Sequence, residues 1–83
     1  MYCEVFLSHT PGTGQVRLEI DGAYYLVSFV EGRPVRAYRY VPERIIHDMR
    51  TGERYPAGDI LSMEEVDEIP ELAIEAFERY LSS

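Results

Sequence analysis

The chain reads as an α+β domain: a small antiparallel β-meander or partly closed barrel of five to six short strands, followed by a C-terminal helix with a break near Pro70. Three observations predict it. Apolar residues alternate with period two through residues 1–57, helical spacing takes over through residues 62–81, and Gly- or Pro-containing turns punctuate the first part. Residues 1–83 form one expected domain, with a β-rich body over 1–58 and a helical end over 59–83.

Tyr2, Glu4 and Phe6 alternate with Cys3, Val5 and Leu7, which predicts a strand ending in the breaker-rich run from Ser8 to Gly14. Val16, Leu18 and Ile20 then alternate with Gln15, Arg17 and Glu19 as far as Asp21-Gly22, a pair suited to the positive φ angles of a two-residue hairpin. That turn sets Ile20 against Ala23, Leu18 against Tyr25 and Val16 against Val27, gathering apolar side chains on one face. A second reversal, with Gly32-Arg33 as its loop, places Tyr38 and Tyr40 beside Val27 and Tyr25. The opposite face then carries Tyr24, Leu26, Val30, Val35, Ala37 and Val41 around Arg17 and Arg39, too apolar for water alone, so something should cover it. Pro42-Glu43 is expected to turn the chain into a strand over 44–49. Arg50-Thr51-Gly52-Glu53 then forms a three-residue hairpin with Gly52 left-handed, and residues 53–57 return.

Ser62 as N-cap, Glu65 completing a capping box and Leu61 stapled to Val66 predict a helix starting near Met63. Pro70 interrupts it, so a short turn to Asp67 and a fresh helix from Asp67 or Glu68 to Leu81 are expected. On a helical wheel Ile69, Leu72, Ala73, Ile74, Ala76, Phe77, Tyr80 and Leu81 span roughly 200°, wider than one sheet contact requires. Glu71, Glu75, Glu78 and Arg79 fill the remainder, and Glu75 pairs favourably with Arg79 one turn on.

Charge divides the chain. The net charge of −7 lies in Asp59 to Ser83, where eight carboxylates face one arginine, while residues 1–58 hold seven acids and seven arginines. An acidic helical face repels nucleic acid and attracts basic protein. The chain has no Lys, no Asn, no Trp and one Gln. A GC-rich genome accounts for an all-Arg cation set, and a thermophilic source is the second reading, favoured by the scarce amides and opposed by the missing Lys. Lysine's absence excludes Schiff-base, lysine-base and P-loop chemistry. One cysteine, Cys3, excludes an internal disulfide and suits a reducing interior, so a cytoplasmic protein is expected. No apolar run approaches the roughly 20 residues of a membrane span, and with no basic start or long apolar core in the first residues no export signal is expected.

No catalytic constellation emerges. His47-Asp48 is the only adjacent imidazole and carboxylate in the sequence, but neighbours on a strand point to opposite faces. Ser8-His9 has the same defect. His9, His47 and Cys3 lack metal-ligand spacing, and Cys3 on an alternating strand reads as a small buried hydrophobe. Thr10-Pro11-Gly12-Thr13-Gly14 precedes a strand, whereas phosphate-cradling glycine loops open a helix, so it reads as a plain connection. No cofactor, metal or catalytic residue is implied.

Two binding readings remain. The first is a non-enzymatic protein-interaction module, a homodimer whose acidic helix, through Glu71, Glu75 and Glu78, meets a basic partner; the wide apolar arc and the second apolar sheet face motivate self-association, because about 60% burial is all so short a chain achieves. The alternative is a nucleic-acid-binding module in which Arg17, Tyr24, Arg36, Tyr38, Arg39 and Tyr40 interleave cations with aromatic rings on the strands.

Overall fold

A computed structural model describes residues 2–82; Met1 and Ser83, the ends of the expected domain, lie outside the described residues. Five antiparallel strands form one sheet in sequence order, β1 (Cys3–Leu7), β2 (Gly14–Ile20), β3 (Ala23–Val30), β4 (Arg33–His47) and β5 (Arg54–Val66), followed by helix α1 (Glu71–Ser82). The chain is thus an α+β meander with a C-terminal helix. The sheet is open, with β1 and β5 at its edges.

The first hairpin follows from its turn. Asp21 and Gly22 take φ angles of 50° and 84°, and the register pairs Ile20 with Ala23, Leu18 with Tyr25 and Val16 with Val27, as expected. On that face Val16, Leu18, Val27 and Phe29 are buried beneath Ala73 and Phe77 of α1. The Phe29 and Phe77 rings stack with centroids 4.0 Å apart and planes 9° off parallel, and both are almost wholly buried. This contact ties the helix to the middle of the sheet. Between β1 and β2 the loop folds onto the next turn, where Gly32 N–H donates to the Gly12 carbonyl at 2.8 Å. A Cβ on Gly12 would meet Gly32 N at 2.8 Å, so the approach requires glycine there.

The second reversal differs from expectation by one residue. Its loop is Glu31-Gly32, with φ angles of 52° and 78°, in place of Gly32-Arg33. Phe29 pairs with Pro34 but Ser28 pairs with Arg36, so Val35 is extra and forms a bulge. A one-residue slip exchanges faces. Tyr38 and Tyr40 therefore lie opposite Leu26 and Tyr24 on the second face, away from Val27 and Tyr25. Ala37, expected on the second face, pairs with Val27 and enters the helix-covered core, while Arg39 pairs with Tyr25 on the helix side.

Two larger corrections concern β4 and β5. Pro42-Glu43 does not turn the chain: β4 runs for 15 residues through it, and neither β4 nor β5 is a short strand. The helix expected from Met63 is instead the end of β5, where Tyr40 pairs with Met63, Arg39 with Glu64, Tyr38 with Glu65 and Ala37 with Val66. The capping signals at Ser62 and Glu65 promised about one turn, too short to sustain itself, whereas the same residues satisfy the open backbone edge of β4 over several hydrogen bonds. Pro70 then immediately precedes the single helix, a position where its missing N–H costs nothing.

The long hairpin bends where Pro42 pairs with Ile60 and Arg44 with Ala57, with register shifts on either side. Glu43 holds the bend: its Oε1 accepts the Asp59 N–H at 2.9 Å. Gly58 sits at φ 80°, and a Cβ there would lie 2.6 Å from Glu43 Oε1. The bend carries Ile60 onto Tyr24, Leu26 and Tyr40, where Tyr2 and Tyr38 also pack. The chain thus covers much of its second apolar face itself. At the hairpin tip Gly52, at φ 77°, donates its N–H to the Asp48 carbonyl at 2.7 Å, in the left-handed conformation expected of it.

Phe77→Ala is expected to lower unfolding free energy by about 3–5 kcal/mol, because it empties the space opposite Phe29. Gly58→Ala should cost about 1–2 kcal/mol through its left-handed φ. The exposed change Glu78→Ala should stay within about 0.5 kcal/mol, and urea unfolding of the three variants checks the order.

Candidate interaction surface

The helical end presents charge because its anchors point the other way. Ala73 and Phe77 are buried, so Glu71, Glu75 and Glu78 lie on the solvent side of α1, all exposed, with Arg79 in the last turn. The apolar arc is wider than its seat: Leu72 remains 46% and Leu81 45% exposed after Ala73 and Phe77 have docked. Ahead of the helix, Glu64 and Glu65 lie on β5 rather than on a helix, opposite Arg39 and Tyr38. From Tyr55 to Glu78 there are eight carboxylates and no cationic side chain.

The Arg and Tyr set separates in space. Tyr24 and Tyr40 are 4% and 3% exposed, which closes them to stacking with an incoming ring, while Tyr38 is half-buried and Arg36 and Arg39 reach solvent. Arg36 is held in its charged form first by a hydrogen bond with Tyr38 and further by the Glu65 carboxylate. Arg17, half-buried on the second face, donates Nε–H to Gln15 Oε1 at 2.8 Å and lies 5.3 Å from the centre of the Phe6 ring. Arg39 stands on the other face, so the six residues do not form one platform.

Under the bend lies a cavity of about 210 Å³ lined by Tyr2, Glu4, Arg17, Tyr40 and Asp59 among others. The Tyr24 and Tyr40 hydroxyls are buried without a partner at hydrogen-bonding geometry. Burial raises the Tyr40 hydroxyl above its ordinary value, against the pull of Arg17 and of the Tyr2 hydroxyl nearby. Tyr2 is raised further, by burial first and then by Tyr40 and Glu4, with Arg17 opposing. Phenols so raised stay protonated at neutral pH and supply neither base nor nucleophile.

The remaining chemistry-bearing residues are dispersed. His47 ends β4 in solvent, and the Asp48 carboxylate accepts the Arg50 N–H at 2.9 Å within the tip. His9 is exposed in the first loop, where the Ser8 hydroxyl donates to the Thr13 carbonyl at 3.1 Å. Cys3 is exposed, not buried as expected, because β1 is an edge strand only partly covered by the helix; burial still pushes its thiol up, against the charge of Arg79. Among the described residues no three His, Cys, Asp or Glu side chains gather as metal ligands. Among the described residues no helix is long and apolar enough to cross a membrane.

One surface was not anticipated. β3 pairs with β4 only as far as Tyr40, so residues 44–47 pair with β5 alone and project as a two-stranded arm. Several of its apolar side chains are uncovered: Ile45 is 47%, Ile46 39%, Tyr55 40% and Met49, at the tip, 85% exposed. The adjacent pair Ile45-Ile46 was the available signal, since neighbours on a strand occupy both faces and both need cover.

No protein-family model, curated protein or solved structure matches this chain.

Two outcomes are expected for the tyrosine cluster. Since Tyr2 is raised above its ordinary value of 10.0, its contribution is whole below that pH and is lost as pH climbs toward the folded value. Unfolding midpoints should fall once pH exceeds about 10, less steeply in Tyr2→Phe. Tyr24→Phe, which removes a buried hydroxyl without a partner, should be neutral or stabilise by about 1 kcal/mol in denaturant unfolding.

Proposed function

We propose that the chain is a non-enzymatic, cytoplasmic protein-interaction module that works as a homodimer and presents its acidic helix to a basic partner surface. The observation that carries this reading is the arrangement of α1: Ala73 and Phe77 anchor it, and Glu71, Glu75 and Glu78 are left exposed together. A carboxylate row on a rigid helix attracts cationic surfaces over roughly a Debye length, about 8–10 Å at ordinary salt, which favours encounter and register more than affinity. Self-association is supported by the apolar remainder, Leu72 and Leu81 on the helix and Ile46, Met49 and Tyr55 on the arm. The second sheet face contributes less than its sequence suggests, because Ile60 and the tyrosines cover it from within.

The test uses tagged protein on nuclease-treated lysate of its own host, with sedimentation in parallel. A basic protein, or an untagged copy of the chain, should be recovered by the native protein and lost with Glu71→Gln/Glu75→Gln/Glu78→Gln. Sedimentation should give twice the 9.6 kDa of one chain at micromolar concentration. Recovery unaffected by the triple change overturns the helix as the contact, and a concentration-independent monomer overturns the homodimer.

A further inference from the structure

We propose that the basic surface met by the acidic helix is the β4–β5 arm of a second copy, so that the dimer forms by reciprocal exchange of arm and helix. This rests on the reading above and specifies its partner. The arm needs a cover that its own chain does not provide: an isolated two-stranded hairpin is marginal in water, and this one exposes Ile46, Tyr55 and the tip residue Met49. The helix has a matching shortage, with Leu72 and Leu81 about half exposed beside its carboxylates.

Charge selects the pairing. The arm and its tip carry Arg44, Arg50 and Arg54, all exposed, against Asp48 and Glu53. Arg44 shares the face of Ile46 and Tyr55, Arg50 follows Met49 at the tip, and Arg54 stands on the other face with Ile45, while on the helix Leu72 and Leu81 border the Glu71, Glu75 and Glu78 stripe on its two sides. Other self-pairings fare worse. Two helices face to face set carboxylate rows together, and β5 edges run antiparallel about Ser62 set Glu65 against Asp59. Arm against arm buries apolar side chains but opposes arginine to arginine. Of these pairings, exchange of arm and helix pairs unlike charges twice, and about a two-fold axis it closes without leaving an end to polymerise.

A charge swap decides it. One variant carries Arg44→Glu, Arg50→Glu and Arg54→Glu; the other carries Glu71→Arg, Glu75→Arg and Glu78→Arg. All six positions are exposed, and circular dichroism verifies that each variant folds. Each variant alone should dimerise at least roughly tenfold more weakly than the native chain, because every pairing becomes repulsive. Their equimolar mixture should recover a dimer containing one of each, seen in native mass spectra, since both exchanged contacts are then attractive. Met49→Asp should weaken the native dimer while leaving the unfolding midpoint unchanged at dilutions where the native chain is itself monomeric. A native dimer that survives both reversals, or a mixture that stays monomeric, overturns arm exchange and leaves the homodimer to another surface. If native protein is monomeric at every concentration, the homodimer itself falls, and capture of a foreign basic protein by the helix then retains the interaction module alone.

Discussion

One helix cannot cover both faces of a five-stranded sheet, and most of this structure answers that constraint. The face beneath α1 is closed by Phe29 stacked on Phe77, with Val16, Leu18, Val27, Ala37 and Ala73 around them. The other face carries Tyr24, Leu26 and Tyr40, which no second helix covers. The sheet bends over itself instead, and the long hairpin does the bending. Pro42 cannot donate to the ladder, Gly58 accepts a left-handed backbone, and Glu43 satisfies the Asp59 N–H released there. Each is a weak device alone, and together they place Ile60 over the aromatic cluster.

The same bend has a consequence at the surface. A hairpin that leaves β3 behind at Tyr40 must end in two strands with no third strand beside them, and each of its faces carries an exposed isoleucine, Ile45 on one and Ile46 on the other. Covering the second face within the chain therefore leaves apolar side chains of the arm in solvent. The acidic segment lies beyond the arm, on the later part of β5 and on α1, where Arg39 pairs with Glu64 and Arg36 stands close to Glu65. The exposed arginines Arg44, Arg50 and Arg54 of the arm and the exposed carboxylates Glu71, Glu75 and Glu78 of the helix thus stand on separate parts of the fold.

The Arg and Tyr interleaving on β4 shows how a register decides what a motif can do. Tyr38-Arg39-Tyr40 alternates faces whatever the pairing, but the bulge at Val35 chooses which face receives the rings. With the bulge, Tyr40 joins Tyr24 in a buried cluster and Ala37 enters the helix-covered cluster with Val27 and Phe29, almost wholly buried. Small Ala37 and bulky Tyr38 and Tyr40 sort themselves by the space available on each face.

Local chemistry alone determined the class, the first hairpin and its register, the left-handed Gly52, and the carboxylate stripe Glu71, Glu75 and Glu78. In each of these a few adjacent residues have one low-energy arrangement, as Asp21-Gly22 does in its turn, or repeat at the period of a single element, as the α1 side chains do. Tertiary structure decided the rest. Whether residues 60–66 would be helix or strand depended on the unpaired edge of β4, tens of residues away in sequence, and several backbone hydrogen bonds outweighed a capping box worth one turn. The passage of β4 through Pro42, the slip at Val35 and the projection of the arm were likewise set by which side chains each face of the sheet had room to bury. Those contacts are long-range, and no window of neighbouring residues contains them.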